Sequence, residues 1–168
     1  MTIQNSSKDD VKDILYLYDE AVKLQKIKGA AAWPKFSREF IESEIKKNRQ
    51  FNIKIDGKIA CVWAITFDDA QIWQDRNADA AIYIHRIAVN PNFRGQNLVR
   101  HIVDWAKEYA LKNSKNFIRL DTVGENLGLI KHYQNCGFRF LGLTRLKDTS
   151  GLPAHYQNAQ VSLFEIRL

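Results

Sequence analysis

Residues 81–110, AIYIHRIAVNPNFRGQNLVRHIVDWAKEYA, constrain the fold more than any other stretch, because they join a strand-like run to an amphipathic helix through Arg94-Gly95. From Ala81 to Val89, apolar side chains occupy both parities of the two-residue alternation, the pattern of a strand covered on both faces. Asn90-Pro91-Asn92 ends the run, since Pro91 has no N–H for a ladder and asparagine favours turns. Leu98, Ile102, Trp105, Ala106, Tyr109 and Ala110 then recur at three- and four-residue steps, one apolar face of a helix about four turns long. Strand, loop and helix in that order aim backbone N–H groups and the positive end of a helix dipole at one spot, with the Arg94 guanidinium beside them. An anion is expected there, a phosphate or pyrophosphate; an ordinary βα connection has the same outline.

The rest of the chain supplies a sheet for that element. Residues 2–4 read as a short edge strand, and Val11, Ile14, Leu15, Tyr18, Ala21 and Val22 set a helical period from Lys8 to about Lys26, with Ser6 or Ser7 as N-cap. After Gly29 and a GAAAWP loop, Ser37 caps a second helix reaching about Asn48. Phe51, Ile53 and Ile55 alternate with polar residues, and Asp56-Gly57 turns the chain into IACVWAITF, a β-hairpin. The segment DDAQIWQDRNAD reads as a polar, solvated loop, with Trp73, Asp75 and Asp79 as candidates to reach a substrate. Beyond the helix, Phe117–Asp121 is a strand, a helix carries Tyr133, Gly137-Phe138 opens a strand to about Leu146, and Gln160–Leu168 closes as its partner. Two helices, a hairpin and then β-α-β-α-β-β predict an α/β protein with a mixed sheet.

Two blocks carry a specific resemblance. Ile87-Ala88-Val89 followed by Arg94-Gly95-Gln96-Asn97-Leu98-Val99 resembles the coenzyme A pyrophosphate loop of the GCN5-related N-acetyltransferase (GNAT) family, R-G-x-G-x-G/A after a Leu/Ile-Ala-Val strand end. Asn97 and Val99 depart from its glycines: asparagine tolerates unusual dihedrals, whereas a branched valine can crowd a ligand. Downstream, Asn126, Tyr133 and Gly137-Phe138 match the family's N-x-x-A-x-x-x-Y-x-x-x-G-F block, with Gly128 in the alanine position. Seven residues is about two helical turns, which sets Asn126 and Tyr133 on one side of one helix.

The resemblance implies a GNAT-like mixed central β-sheet flanked by helices, the acyl-CoA N-acyltransferase fold, in a single N-acetyltransferase domain over residues 1–168. It implies acetyl-CoA as acyl donor, no metal, and direct transfer of an acetyl group in a ternary complex to a primary amine of a small molecule or a protein. Ile87, Ala88, Val89, Arg94, Gly95, Gln96, Asn97, Leu98, Val99, Asn126 and Tyr133 match the coenzyme-binding positions, with a backbone N–H near Ile87–Val89 polarising the thioester. Tyr133 matches the general acid. The glutamate base of the histone-acetyltransferase branch is replaced by Ala81, but Ile84-His85-Arg86-Ile87-Ala88-Val89 resembles the histidine context of the arylalkylamine branch. His85 is therefore the candidate base, with Asp121 and Glu125 in reserve; a strand histidine serves a core hydrogen bond equally well. Trp33 and Phe36 correspond to the acceptor side in relatives of this fold, where core packing explains them equally well. A non-catalytic acyl-CoA-binding module of the same fold is the alternative.

Composition narrows the partners. The net charge of +6 suits an anionic ligand, but Lys and Arg are scattered without a nucleic-acid motif, so no nucleic-acid partner is expected. No apolar run reaches the roughly 18 residues of a membrane span and the start MTIQNSSKDD lacks signal-peptide character, predicting a cytoplasmic protein without a membrane partner, monomeric or homodimeric. Cys61 and Cys136 have neither metal spacing nor companions and are expected as free thiols.

Overall fold

The computed structural model describes residues 1–168. In chain order its elements are β1 (Thr2–Asn5), α1 (Val11–Ile27), α2 (Arg38–Lys46), β2 (Gln50–Ile55), β3 (Lys58–Thr66), α3 (Ala70–Trp73), β4 (Ala81–Val89), α4 (Leu98–Lys112), β5 (Phe117–Val123), α5 (Leu127–Asn135), β6 (Arg139–Arg145) and β7 (Gln160–Arg167). The strands form one mixed seven-stranded sheet in the order β1-β2-β3-β4-β5-β7-β6. By contacts the chain divides into two compact units, Met1–Ile65 with His85–Leu98 and Thr66–Ile84 with Val99–Leu168, and β4 contributes residues to both. No helix is long and apolar enough to cross a membrane.

In the first unit, antiparallel β1, β2 and β3 form the sheet on which α1 and α2 pack. The turn between β2 and β3 holds Asp56 at φ 49° and Gly57 at φ 74°, the pair of left-handed residues that matches a hairpin's twist. Ser37 caps α2 by accepting from the Phe40 N–H at 3.1 Å, a contact worth about 1 kcal/mol. Val11, Ile14, Leu17 and Tyr18 from α1 join Ile41, Ile59, Val62 and Ala88 in one core.

In the second unit, Ala81–Tyr83 of β4 pair in parallel with Phe117–Arg119 of β5, and β5 and β6 flank β7 antiparallel. The expected solvated loop at 68–79 is overturned: it folds into α3 and a 3-10 turn, with Ile72 and Trp73 2% and 1% exposed. Its polar composition conceals two apolar anchors, and the buried Arg119 meets its charges. Arg119 donates to Glu165 at 2.9 Å, to the Arg76 carbonyl at 2.6 Å and to Asp79, with its guanidinium 4.7 Å over the Trp73 ring. Trp73 is thereby committed to the interior of this unit, and Asp79, itself exposed, is engaged by the buried guanidinium.

Candidate functional site

The anion-binding element takes its shape from the backbone. Asn90 fastens the end of β4 to β3, donating its N–H to the Ala60 carbonyl at 2.9 Å and its side-chain amide to the Ile59 carbonyl at 2.8 Å. A 3-10 turn, Pro91–Phe93, follows, and Arg94, Gly95, Gln96 and Asn97 are exposed before α4 starts at Leu98. Gly95 lies at φ 82° and Asn97 at φ 52°. Two left-handed residues ahead of a helix turn successive N–H groups outward into a concave nest for an anion. The Asn97 departure is thus met by a residue type that tolerates this region. Val99 is only 7% exposed, so its branched side chain is turned inward.

Just upstream, β4 carries a second irregularity. Arg86 lies at φ 53°, a conformation that costs a non-glycine residue about 1–2 kcal/mol. It is held there by Glu44, which accepts from its guanidinium at 2.6 Å, and by Phe36 and Phe40, whose ring centroids lie 5.9 and 5.0 Å away. Phe36 and Trp33 pack against Tyr18, at 4.9 and 5.9 Å between centroids, so these two expected substrate walls belong to the first unit's aromatic cluster. His85 sits beside this cation. Burial first, then Arg86 and Arg49, push its pKa down to about 3, so the ring is neutral at physiological pH and holds a proton weakly. Ala88 is buried, with Ile87 and Val89 half-buried on either side.

In the second unit, Tyr133 is half-buried on α5, its ring 5.1 Å from Phe164 and 5.9 Å from Phe138. Asn126 stands at the N-cap of α5 rather than within the helix that carries Tyr133, its side chain accepting from the Leu129 N–H at 3.0 Å. Seven-residue spacing read as two turns fails where the first residue already has extended dihedrals. A Cβ at position 128 would lie 3.3 Å from that capping oxygen. Burial pushes the Cys136 thiol up, and that of Cys61 to about 12, so neither is an activated nucleophile.

The same unit contains two carboxylates that sequence reasoning underrated. Asp69 and Asp121 approach to within 4.8 Å. Burial, then Asp121 and Asp68, push Asp69 up to about 8, and burial pushes Asp121 up to about 6 although it accepts from the Tyr156 hydroxyl at 2.9 Å. Asp69 lay in the segment read as loop, and only the fold reveals its neighbour. Glu125, the other reserve, is exposed.

A family model described as the acetyltransferase (GNAT) family matches residues 16–138, a span containing the nest, Asn126 and Tyr133. The chain belongs to the GNAT family. Among curated relatives it is 32% identical over 115 residues to the uncharacterized N-acetyltransferase YesJ of Bacillus subtilis (strain 168), covering 66% of this chain and 62% of YesJ. Against a second relative, an uncharacterized N-acetyltransferase of Methanocaldococcus jannaschii, the chain is 28% identical and spans 60% of that protein's length. Among solved structures, a GNAT family acetyltransferase from Listeria monocytogenes 4b F2365 superposes with a TM-score of 0.78 at 24% identity, covering 99% of this chain and 94% of that one. The GNAT fold expected from the sequence is therefore the observed one.

Proposed function

We propose that this chain is an acetyl-CoA-dependent N-acetyltransferase acting on a primary amine of a small molecule or protein by direct transfer in a ternary complex. Residues 1–168 act as one N-acetyltransferase domain. The observation that carries this reading is the exposed nest at Arg94–Asn97, left-handed at Gly95 and Asn97 and followed directly by α4. Gly95 suits a coenzyme phosphate: a Cβ there would meet nothing within 4 Å, leaving its surroundings open. The solved structure of yncA from Salmonella typhimurium, with its cofactor acetyl-CoA, has the same fold at a TM-score of 0.72 and 15% identity, covering 100% of this chain and 94% of that one.

Arg94, Gly95, Gln96, Asn97, Leu98 and Val99 hold the pyrophosphate, chiefly through backbone N–H groups and the α4 dipole. Bound acetyl-CoA supplies the activated acetyl thioester. A backbone N–H within Ile87–Val89 polarises the carbonyl, with the Arg86–Glu44 contact holding the preceding backbone rigid. Asn126 fixes the start of α5, and the Tyr133 hydroxyl on that helix provides the proton for the departing thiolate. His85 is assigned the role of neutral hydrogen-bond acceptor toward the amine, since a group with a pKa of about 3 is a poor store for its proton.

Incubation of purified protein with acetyl-CoA and a panel of primary amines, followed by detection of released thiol, tests the reading. Amine-dependent thiol release that saturates with acetyl-CoA is expected. Coenzyme binding without release for any amine would support a non-catalytic acyl-CoA-binding module.

A further inference from the structure

We propose that the groove between the outer face of α1 and the chain returning after Gly29 docks an acidic peptide segment of a protein partner. Such a segment needs no amine, so the docking is independent of acyl transfer.

The end of α1 builds the groove. Gly29, at φ 64°, closes the helix: its N–H reaches the Lys26 carbonyl at 3.1 Å, and the Ala30 N–H reaches the Gln25 carbonyl at 2.9 Å, the paired bonds of a left-handed C-terminal cap. The cap reverses the chain, and the Gln25 side chain then accepts from the Trp33 N–H at 2.9 Å, fastening the returning segment to the helix. Trp33 is also held edge-on to Tyr18, with 5.9 Å between ring centroids. The space left is about 340 Å³, at the small end of the range for ligand sites. Along α1 its wall includes Tyr16, Asp19, Lys23 and Lys26, three and four residues apart and so stacked in one stripe, while Ile14, Leu17 and Tyr18 belong to the core. Trp33 and Lys35 form the facing wall.

The lining combines apolar surface with cations. Val22, the Trp33 indole and the half-exposed Tyr16 ring supply the first. Three lysines supply the second, against one carboxylate, Asp19. Lys23 is already paired with Glu20 at 2.6 Å, but Lys26 and Lys35 are exposed and have no carboxylate within ion-pair distance. A segment that fits presents an apolar side chain flanked by aspartate or glutamate: the side chain covers Val22 and Trp33, and the carboxylates meet the two free ammonium groups. Exposed ion pairs are individually weak, so the apolar contact anchors the segment and the charges select it. Because the facing wall is hydrogen-bonded in place beforehand, little ordering entropy is lost on docking. The chain's net charge of +6 acts in the same sense, favouring the approach of an acidic segment over a basic one. Nucleic acid calls for a longer row of cations along its phosphates than two free lysines across a short groove provide.

Fluorescence polarisation with the full chain tests the proposal, using a fluorescein-labelled peptide in which glutamates flank one phenylalanine, blocked at both ends and free of lysine, and its glutamine counterpart. The glutamate peptide is expected to saturate below millimolar protein, to bind at least tenfold tighter than the glutamine peptide, and to weaken as sodium chloride is raised. Lys26→Glu combined with Lys35→Glu is expected to weaken it at least tenfold and Tyr16→Ala at least threefold; all three side chains are exposed, so the fold tolerates the changes. Lys58→Glu, at the exposed start of β3, is expected to leave affinity within twofold. Wild-type protein that binds neither peptide or both equally, or a double variant within twofold of wild type, would overturn the proposal. Tighter binding of a single-stranded oligonucleotide, or self-association of the chain, lost in the same double variant, would assign the groove to that occupant instead and overturn it too.

Discussion

The guanidinium of Arg119 lies 4.7 Å over the indole of Trp73, and through that contact a segment with the composition of a surface loop becomes part of a core. Arg119 is 1% exposed and Glu165 is 7% exposed. Removal of the guanidinium leaves the Glu165 carboxylate buried with only the exposed Arg139 at 3.6 Å. Arg119→Ala is expected to destabilise the protein by roughly 3–5 kcal/mol in urea unfolding, the usual cost of breaking a buried ion pair. A loss below about 1 kcal/mol would show that these charges act as an exposed pair does.

Arg86 and His85 are linked electrostatically. Arg86→Met removes one of the two positive charges that suppress the imidazolium, so the His85 pKa is expected to rise from about 3 toward its ordinary value in a histidine NMR titration. An unmoved His85 would mean that burial and Arg49 set it without Arg86. Because its folded pKa is depressed below the unfolded value of about 6.5, His85 contributes stability above that pH and withdraws it as pH falls toward 3.

Asp69 has the opposite sign. Its folded pKa, about 8, lies above the unfolded value near 3.8, so its contribution to stability is fully present below pH 3.8 and is lost as pH rises through 8. Asp121, raised to about 6, acts in the same sense over the lower part of that window. Asp69→Asn is therefore expected to raise the unfolding free energy at pH 8.5 by about 1 kcal/mol or more relative to its effect at pH 5. Equal effects at both pH values would show that Asp69 titrates normally.

Tyr133→Phe keeps the ring contacts with Phe164 and Phe138 while deleting the proposed acid. Turnover is expected to fall by about 100-fold, the lower end of general acid catalysis, with coenzyme affinity within twofold of wild type. Unchanged turnover would assign protonation of the thiolate to water.

Much of the fold was legible because its signals are local. The bounds of β4 follow from the apolar run closed by Asn90-Pro91, and the β2–β3 hairpin from Asp56-Gly57. The α2 cap follows from Ser37. At the candidate site, the left-handed residues Gly95 and Asn97 fall inside the loop singled out in the sequence, and Tyr133 lies on a helix as its spacing predicts. Asn126 was misjudged because spacing does not reveal where a helix begins. Trp73, Arg119 and the Asp69–Asp121 pair were obscured for a different reason: their environments are assembled from segments separated in sequence by tens of residues, and a polar local composition says nothing of such partners. Arg86 belongs with them, since neither its positive φ nor its pairing with Glu44, 42 residues away, leaves a trace in nearby sequence.

Calorimetric titration with acetyl-CoA and free coenzyme A, on wild-type protein and on Asn97→Val, tests the central claim most directly. If the nest at Arg94–Asn97 binds the pyrophosphate, wild type binds both with Kd of about 1–100 μM. Asn97→Val, a branched residue at φ 52°, then weakens both by at least tenfold, about 1.4 kcal/mol. Absence of binding by wild type at millimolar coenzyme would contradict the account.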